Sequence, residues 1–260
     1  MIKATPYFPT KTILIMMMFF VGLCCRAKDK KEKNPDVSKV VNSILNWGES
    51  LSTPGAKVEM RPSEPLKQNG VVYDTYDPYV SGLAVDQSYG IFQWPINQPE
   101  PSVSYPEVYI APDGRLCLQA GKCHGEVGPY VRMAFLSASG EPHRFLILSK
   151  DGKSKVALLV IPRPITGADA ACSVEVIRGS AKFEVAIIRG KGFRPNEHIE
   201  YTSNSAGEVI HSPANVDANG SFNLVMAPFV KGKNQGVDEI TFKGEGCAPK
   251  VSYHWGTIED

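Results

Sequence analysis

From about residue 104 to the C-terminus, short apolar runs are separated by residues that favour turns. The run Lys182–Ile188 begins with alternating apolar and polar side chains, and Asp151-Gly152 and Asn219-Gly220 are typical of hairpin turns. A strand presents successive side chains to opposite faces, so this pattern predicts sheets with one buried face. No stretch after residue 55 has a helical period of useful length, and the body of the chain is therefore predicted to be all-β.

One segment near the N-terminus has the helical period instead. Its apolar residues recur at i, i+3, i+4, i+7 and i+8, at Val37, Val40, Val41, Ile44 and Leu45. Asn34 and Pro35 suit the start of a short amphipathic helix, and Gly48 suits its end. The polar face is not rich in Lys and Arg, so docking on a sheet is favoured over lying on a membrane. Residues 50–70 have prolines and little periodicity, which predicts a linker or an irregular wrapping segment.

Residues 1–27 are predicted to be a signal peptide. The uninterrupted apolar run from Ile13 to Cys25 has 13 residues, which is shorter than the roughly 20 of a membrane-spanning helix and fits the apolar core of a signal peptide. Cleavage after Ala27 and export are expected. Cys24 and Cys25 leave open a lipid anchor on a new N-terminal cysteine, although a small residue usually precedes such a cysteine and Leu23 precedes Cys24. In the alternative, both cysteines leave with the signal.

Charge and composition narrow the classes of partner. The 260 residues carry a formal net charge of +1, and 43% of them are hydrophobic. Nucleic-acid binding needs a concentrated basic face, so no nucleic-acid partner is expected. The one basic run, residues 26–33, follows the apolar leader and is interpreted as a solvated tether.

Four cysteines remain after the leader, and an even number in an exported chain predicts two disulfides. Four cysteines allow three pairings. We favour Cys117–Cys123, because the short intervening segment can close a tight hairpin, and this leaves Cys172–Cys247. A zinc site with His124 is the alternative, but the cysteine spacing is wider than C-x2-C and no fourth ligand is near.

The β-region contains a repeated order of strands and turns that suggests two tandem modules. A strand, a Gly-Glu turn, a strand, an Asp-Gly or Asn-Gly turn and a strand ending in Pro occur twice, with Gly140 and Gly207 67 positions apart and Gly152 and Gly220 68 apart. Similar hairpin sequences arising independently are the alternative. The predicted organisation is a signal peptide over 1–27, a charged tether, short helix and Pro-rich linker over 28–70, a first β-sandwich module over 71–168 and a second over 169–260.

The second module has the strand count of an immunoglobulin-like sandwich. Residues 171–256 offer seven strands with turn signals about every 8 to 12 residues. In that topology the start of the first strand and the loop between the last two strands lie at the same end. Cys172 and Cys247 occupy these two positions, which independently favours their pairing.

The same region resembles a known family of modules. A Gly-x-Gly-Phe-x-Pro-x-Glu stretch and a later Asp-x-x-Gly-x-Phe stretch occur at Gly190, Gly192, Phe193, Pro195, Glu197, Asp217, Gly220 and Phe222. Residues 172–256 are thereby similar to the immunoglobulin-like modules of bacterial exported proteins, of the IPT/TIG kind. The resemblance implies a sandwich fold and roles as spacers, adhesion or ligand-binding surfaces, or appendages to enzymes.

The stretch Ile187–Tyr201 also contains the features of a phosphate loop, but the context is wrong. A phosphate loop leads into a helix, whereas Pro195 and an alternating strand follow here. We predict a structural turn made by Gly190, Gly192, Phe193 and Pro195. In it Gly192 has an unusual φ, Phe193 caps the core and Pro195 fixes the backbone.

No other motif predicts catalysis, a cofactor or a metal. The five histidines have no metal-binding spacing and no G-x-S-x-G sequence occurs. Asp74 and Asp77 lie among tyrosines in a spacing that fits no calcium loop. The tyrosine-rich residues 73–94 are predicted to be a contact surface, with a packed strand as the alternative. Asn219 fits a glycosylation acceptor, although a hairpin turn also explains the sequence.

Together these features predict an exported, non-enzymatic protein of the cell envelope or exterior, with a binding, adhesion or structural role. Its partner is expected to be a protein or a carbohydrate. The two modules, joined by the Pro-rich residues 161–168, would form a semi-rigid rod. Two alternatives remain: a periplasmic chaperone or inhibitor that captures a strand at a sheet edge, and an enzyme with a site between the modules.

Overall fold

The computed structural model describes residues 37–257 apart from 86, 97–99 and 126–127. The predicted signal peptide, Cys24 and Cys25, the basic run and the start of the predicted helix at Asn34 and Pro35 lie outside these residues. Helix α1 spans Val37–Leu45 and is followed by a 3-10 turn at Glu49–Leu51. The rest of the described chain is strands and turns, so the fold is all-β.

The first module is a sandwich of two antiparallel sheets. Its strands are β1 (Lys57–Gln68), β2 (Val71–Ser81), β3 (Ser88–Trp94), β4 (Ser102–Ile110), β5 (Leu116–Cys117), β6 (Met133–Phe135), β7 (His143–Ser149) and β8 (Lys155–Val160). One sheet has the order β1-β2-β6 and the other β5-β4-β3-β7-β8. Their facing side chains, among them Tyr89, Ile91, Val108, Phe135 and Phe145, form one core.

The first module begins earlier than the sequence suggested. Residues 57–68 were predicted as part of a linker, but they form strand β1 and pair with β2 along its length. Asn69 and Gly70 both have positive φ and make the tight turn between the two strands. The prolines are tolerated because β1 is an edge strand whose register is broken by a bulge between Ser63 and Leu66.

The second module is also a sandwich of two antiparallel sheets. Its strands are β9 (Ile165–Asp169), β10 (Cys172–Arg178), β11 (Ala186–Lys191), β12 (His198–Ser205), β13 (Glu208–Asn215), β14 (Phe222–Met226), β15 (Gly236–Lys243) and β16 (Lys250–Trp255). The sheets have the orders β14-β11-β10-β9 and β13-β12-β15-β16. The seven strands predicted over 171–256 correspond to β10–β16.

Two boundaries in the second module differ from the prediction. Residues 165–168, assigned to the connector and the end of the first module, form β9 together with Asp169 and pair with β10. The strand predicted from Lys182 begins only at Ala186. The residues before it turn instead, with Phe183 in a left-handed conformation (φ 59°) and its ring buried in the core.

Both disulfides are present in the structure. Cys117 pairs with Cys123, and Cys172 pairs with Cys247 across 75 positions. The second bond joins the start of β10 to the loop between β15 and β16. Two disulfides in one chain are typical of an oxidising, non-cytoplasmic environment. Within the described residues, no helix is long and apolar enough to cross a membrane.

A small third core joins the two modules. Val41 and Ile44 of helix α1 pack against Ile177 and Ile187 on the outer face of the second module, and Leu159 and Ile161 from the end of the first module complete the cluster. The predicted docking of the helix on a sheet is therefore correct. Trp47, just after the helix, donates from its indole nitrogen towards two carbonyl oxygens of β7 and β8 at 3.1 Å.

Hydrogen bonds between the modules reinforce this third core. Arg178, the last residue of β10, donates from its backbone nitrogen to the carbonyl of Gly140 in the first module at 2.8 Å. Gly140 in turn donates to the carbonyl of Arg163 in the connector at 2.7 Å. The modules thus share a packed and hydrogen-bonded junction, whereas the sequence suggested only a Pro-rich connector.

Candidate functional site

A groove with a volume of about 570 Å³ lies on the outer face of the β14-β11-β10-β9 sheet. We call it the outer-face groove. Its polar side chains come from all four strands and the turn before β14: Thr166, Ser173, Glu175, Arg189, Lys191, Ser221 and Asn223.

Strand register places these side chains side by side. Glu175 on β10 is opposite Thr166 on β9 and Arg189 on β11, and Arg189 is opposite Asn223 on β14. The neighbouring residues along β10 and β11 point inwards to the core, as expected for strands with one buried face. A row of hydrogen-bonding groups therefore runs across the sheet, and a second row contains Ser173 opposite Lys191.

The groove has one cation that is not neutralised by an ion pair. Arg189 donates from Nη2 and Nε to one carboxylate oxygen of Glu175, at 2.6 and 3.2 Å, so these two charges offset each other. Lys191 is exposed and forms no ion pair with any described residue. A ligand in the groove would therefore meet a net positive charge at Lys191.

Small residues make the floor of the groove. Ala168 and Ser173 are opposite each other on β9 and β10 and leave space between the longer side chains. Gly190 lies in β11 and not in the turn to which the sequence assigned it. A Cβ at Gly190 would lie 2.1 Å from the ring of Phe222 on the core side, so glycine is required by packing beneath the groove.

The groove can recognise a ligand through hydrogen bonds from its polar side chains and through the positive charge of Lys191. Hydroxyl and amide groups can bind the hydroxyls of a ligand, and an ammonium can bind an anionic group. Among the residues that the structure describes, no three His, Cys, Asp or Glu side chains come together as metal ligands.

The predicted structural turn lies at the disulfide end of the same module. Gly192 has a φ of 82°, and a Cβ there would lie 2.0 Å from the carbonyl oxygen of Ala171. Phe193 is buried against Phe222, with the ring centroids 5.3 Å apart. The buried Glu197 carboxylate accepts hydrogen bonds from the backbone of Arg194 and of Glu245. Each of these contacts fixes the backbone, and Pro195 lies within the turn.

The tyrosine-rich segment divides between core and surface. Tyr89 is fully buried, and the Tyr76 hydroxyl donates to the carbonyl of Pro162. Tyr79 is half-buried, with the Arg61 guanidinium 3.8 Å from its ring centroid. Asp74 and Asp77 form ion pairs at 3.0 Å, Asp74 with Arg163 and Asp77 with Arg132. The two carboxylates therefore pair with arginines of the fold and do not converge on a cation site.

The cysteines weighed as zinc ligands are joined to each other. Because Cys117 and Cys123 form a disulfide, neither offers a thiolate to a metal. The neighbouring His124 makes a 2.8 Å contact from Nε2 to the carbonyl oxygen of Gly121. These three residues form a local loop structure.

A buried serine–histidine contact in the first module was not predicted from the sequence. Ser137 Oγ lies 2.7 Å from Nε2 of His143, and Gln93 Nε2 lies 3.1 Å from Nδ1 of the same ring. Burial lowers the pKa of His143, while the nearby Glu141 acts in the opposite direction. Ser137 is only 4% exposed, so a substrate could not reach this pair. Strand β7 and the loop before it bring these residues together, and no motif spacing marks them.

A second buried polar cluster lies in the core of the second module. Asp238 accepts hydrogen bonds from Ser203 at 2.7 Å and from Tyr253 at 2.8 Å. Burial raises the pKa of Asp238, and the two hydrogen bonds act in the opposite direction. Both oxygens of the carboxyl group are thereby used within the fold.

Neither a family model nor a curated protein matches the sequence. The likeness to IPT/TIG modules therefore stays a resemblance of residues, and the groove is interpreted from its own contacts.

Proposed function

We propose that the protein is an exported, non-enzymatic binding protein and that the outer-face groove of the second module holds its ligand. The two disulfides support a location outside the cytoplasm. Because the Ser137–His143 pair is buried, the proposal assigns it no catalytic role.

The row of polar side chains across four strands is the observation that carries this proposal. Thr166, Glu175, Arg189 and Asn223 are held on one sheet by cross-strand pairing. The opposite face of that sheet is packed in the core, and strand β10 is held by the disulfide at Cys172. Side chains on such a sheet lose little freedom when a ligand binds, which favours affinity.

The ligand class follows from the groups that are available. Hydroxyl and amide groups around a floor of small residues suit a polyhydroxylated chain, and Lys191 suits a carboxylate or another anionic substituent. We therefore infer an acidic oligosaccharide as the ligand. Of the two partner classes expected from the sequence, this choice favours carbohydrate over protein.

Binding to an array of acidic and neutral oligosaccharides, followed by calorimetry on the strongest ligand, tests the proposal. Lys191→Gln is expected to weaken binding about tenfold or more, because it removes a charge-assisted hydrogen bond. The loss should shrink at high salt, where the interaction of exposed charges is screened.

Lys243→Gln is the matched control. Lys243 is also an exposed lysine near the end of a strand in this module, but it belongs to β15 in the other sheet. Its replacement should leave affinity unchanged. Equal losses in the two variants, or the absence of binding to every acidic saccharide on the array, would contradict the proposal.

A further inference from the structure

The two long edge strands described, β1 and β13, differ in how well they are protected against pairing with another chain. The free edge of β1 has a bulge between Ser63 and Leu66. The strand also contains two prolines and several charged residues: Pro62, Pro65, Lys57, Glu59, Arg61 and Lys67. These are the features by which sheet edges avoid pairing with another chain. Strand β13 pairs only with β12 among the described strands. Its first five residues contain no proline, lysine or arginine, and their titratable side chains are Glu208 and His211.

Large apolar side chains are exposed at this unprotected edge. Val209 and Ile210 lie on β13, and Phe229 lies just after β14; all three are more than half exposed. Strands β13 and β14 are the edge strands of the two sheets on the same side of the sandwich, and they contact each other. We call these three residues and the edge of β13 the β13–β14 surface.

The opposite side of the sandwich is closed. There β9 packs on β16 so tightly that a Cβ at Gly167 would lie 1.8 Å from the carbonyl oxygen of Lys250. An open side with exposed apolar residues and unpaired backbone groups is typical of a surface that binds another chain.

We propose that the β13–β14 surface binds a second copy of this chain through antiparallel pairing of the two β13 strands. A twofold axis at Ile210 would place Ile210 opposite its own counterpart, Val209 opposite His211 of the second copy, and Glu208 opposite Ser212 of the second copy. No like charges face each other in this register, which would otherwise oppose pairing. The proline-free residues 208–212 supply the backbone donors and acceptors, and Pro213 marks the end of the pairing.

Self-pairing suits this edge better than capture of an extended foreign segment. Both partners are already folded strands, so no disordered chain must be ordered on binding. The twofold contact is isologous, so the same apolar patch is buried on both copies. The two sheets β13-β12-β15-β16 would become one continuous sheet, and both unprotected edges would be removed.

The dimer would present two ligand sites on one particle. The outer-face groove lies on the other sheet of the sandwich and stays free in this arrangement. Two linked sites can bind a repeating polymer with greater avidity than one. The dimer itself does not depend on the proposed ligand, so each proposal can fail without the other.

Sedimentation of the disulfide-intact exported chain at about 1 to 100 µM, a range that covers micromolar affinities, tests the dimer. We expect the wild type to sediment as a dimer at the upper end and Ile210→Lys, which brings two ammonium groups face to face, to sediment as a folded monomer. Val103→Lys is the control, because Val103 is equally exposed but lies on β4 of the first module; this variant should remain dimeric.

A cross-linking variant tests the register. Directly opposite residues in an antiparallel pair have Cβ atoms about 4.5–5.5 Å apart, near the range that a disulfide spans. Ile210→Cys should therefore form a covalent dimer on mild oxidation, and Val103→Cys should not. A wild type that is monomeric throughout the range, a dimer that survives Ile210→Lys, or a monomer that instead adds extended peptides to β13 would overturn the proposal.

Discussion

Arg178 donates a hydrogen bond of 3.1 Å from its Nε to the carbonyl oxygen of Ser139, and so joins the second module to the first. The arginine is only 1% exposed. Its Nη1 donates to two further carbonyls, those of Ala181 and Thr257, and its guanidinium lies 4.4 Å from the ring centroid of Phe183. A single side chain therefore donates hydrogen bonds to three segments: the loop before β7, the turn before β11 and the chain after β16.

Replacing this arginine should destabilise the whole protein. Arg178→Met would remove the donor to three partly buried carbonyl oxygens, and we expect the free energy of unfolding to fall by about 3 kcal/mol. Arg189→Met in the outer-face groove is the control, because the ion pair it breaks is partly exposed and should contribute at most about 1 kcal/mol. Urea unfolding of both variants measures the difference. Equal losses would contradict the assigned role of Arg178.

Gly140 should tolerate substitution poorly for two separate reasons. Its φ is 72°, and a Cβ there would lie 3.1 to 3.2 Å from atoms of Val176, Ile165 and Phe183 in the second module. Gly152 has nearly the same φ, 74°, with no atom within 4 Å of the added carbon. Gly152→Ala should therefore cost only the backbone strain, about 1–2 kcal/mol, whereas Gly140→Ala should cost distinctly more. Thermal unfolding of the pair separates the junction contact from the strain.

Phe193 should matter for stability before it matters for binding. It is 4% exposed in the core of the second module, and Phe193→Ala is expected to cost about 3–5 kcal/mol. Phe229→Ala is the matched control at 61% exposure, and it should change stability by about 0.5 kcal/mol or less at concentrations where the chain is monomeric. If Phe193→Ala kept its melting temperature but lost ligand, the turn would have to be assigned to the binding site.

His143 should make the protein less stable in weak acid. Burial lowers its pKa in the folded state, so below about pH 6.5 the unfolded chain binds a proton that the native chain does not. This contribution is present at neutral pH and is lost as the pH falls. His143→Gln should reduce the loss of unfolding free energy between about pH 7 and 5. A variant with the same pH profile as the wild type would contradict this assignment.

Asp238 should have the opposite dependence on pH. Burial raises its pKa in the folded state, so the native chain holds a proton at a pH where the unfolded carboxyl has lost it. Its contribution is greatest at low pH and is lost as the pH rises through the folded pKa. Asp238→Asn keeps the shape of the side chain without its ionisation. Relative to this variant, the wild type should gain stability as the pH is lowered towards 4, the region where a free carboxyl titrates.

Local pattern was enough to predict strands β10–β16 but not which strands pair with one another. Alternation and turn dipeptides indicated β10–β16, because both signals lie within a few residues of each strand. The turn at Asn69-Gly70 carried the same signal, but the prolines of β1 obscured it. A proline excludes a central strand and is compatible with an edge strand, and the sequence alone does not say which of these a strand will be.

The outer-face groove and the junction could not be predicted for a related reason. Glu175 and Arg189 are adjacent only through the register of β10 and β11, and Thr166 and Asn223 come from strands more than 50 residues apart. Helix α1 gave a similar partial result. Its periodicity indicated that Val41 and Ile44 would be buried, but not that they would pack against Ile177 and Ile187 at the junction of two modules.

The Cys172–Cys247 bond has a mechanical consequence for the second module. Tension applied between the two ends of the second module would be transmitted from Cys172 to Cys247 through the disulfide. It would not act on the segment between these cysteines, which are 75 positions apart. That segment, which would reach about 250 Å if fully extended, cannot lengthen while the bond is intact. Only β9 and β16, which lie outside the closed loop, can unravel, so the outer-face groove would keep most of its wall under load.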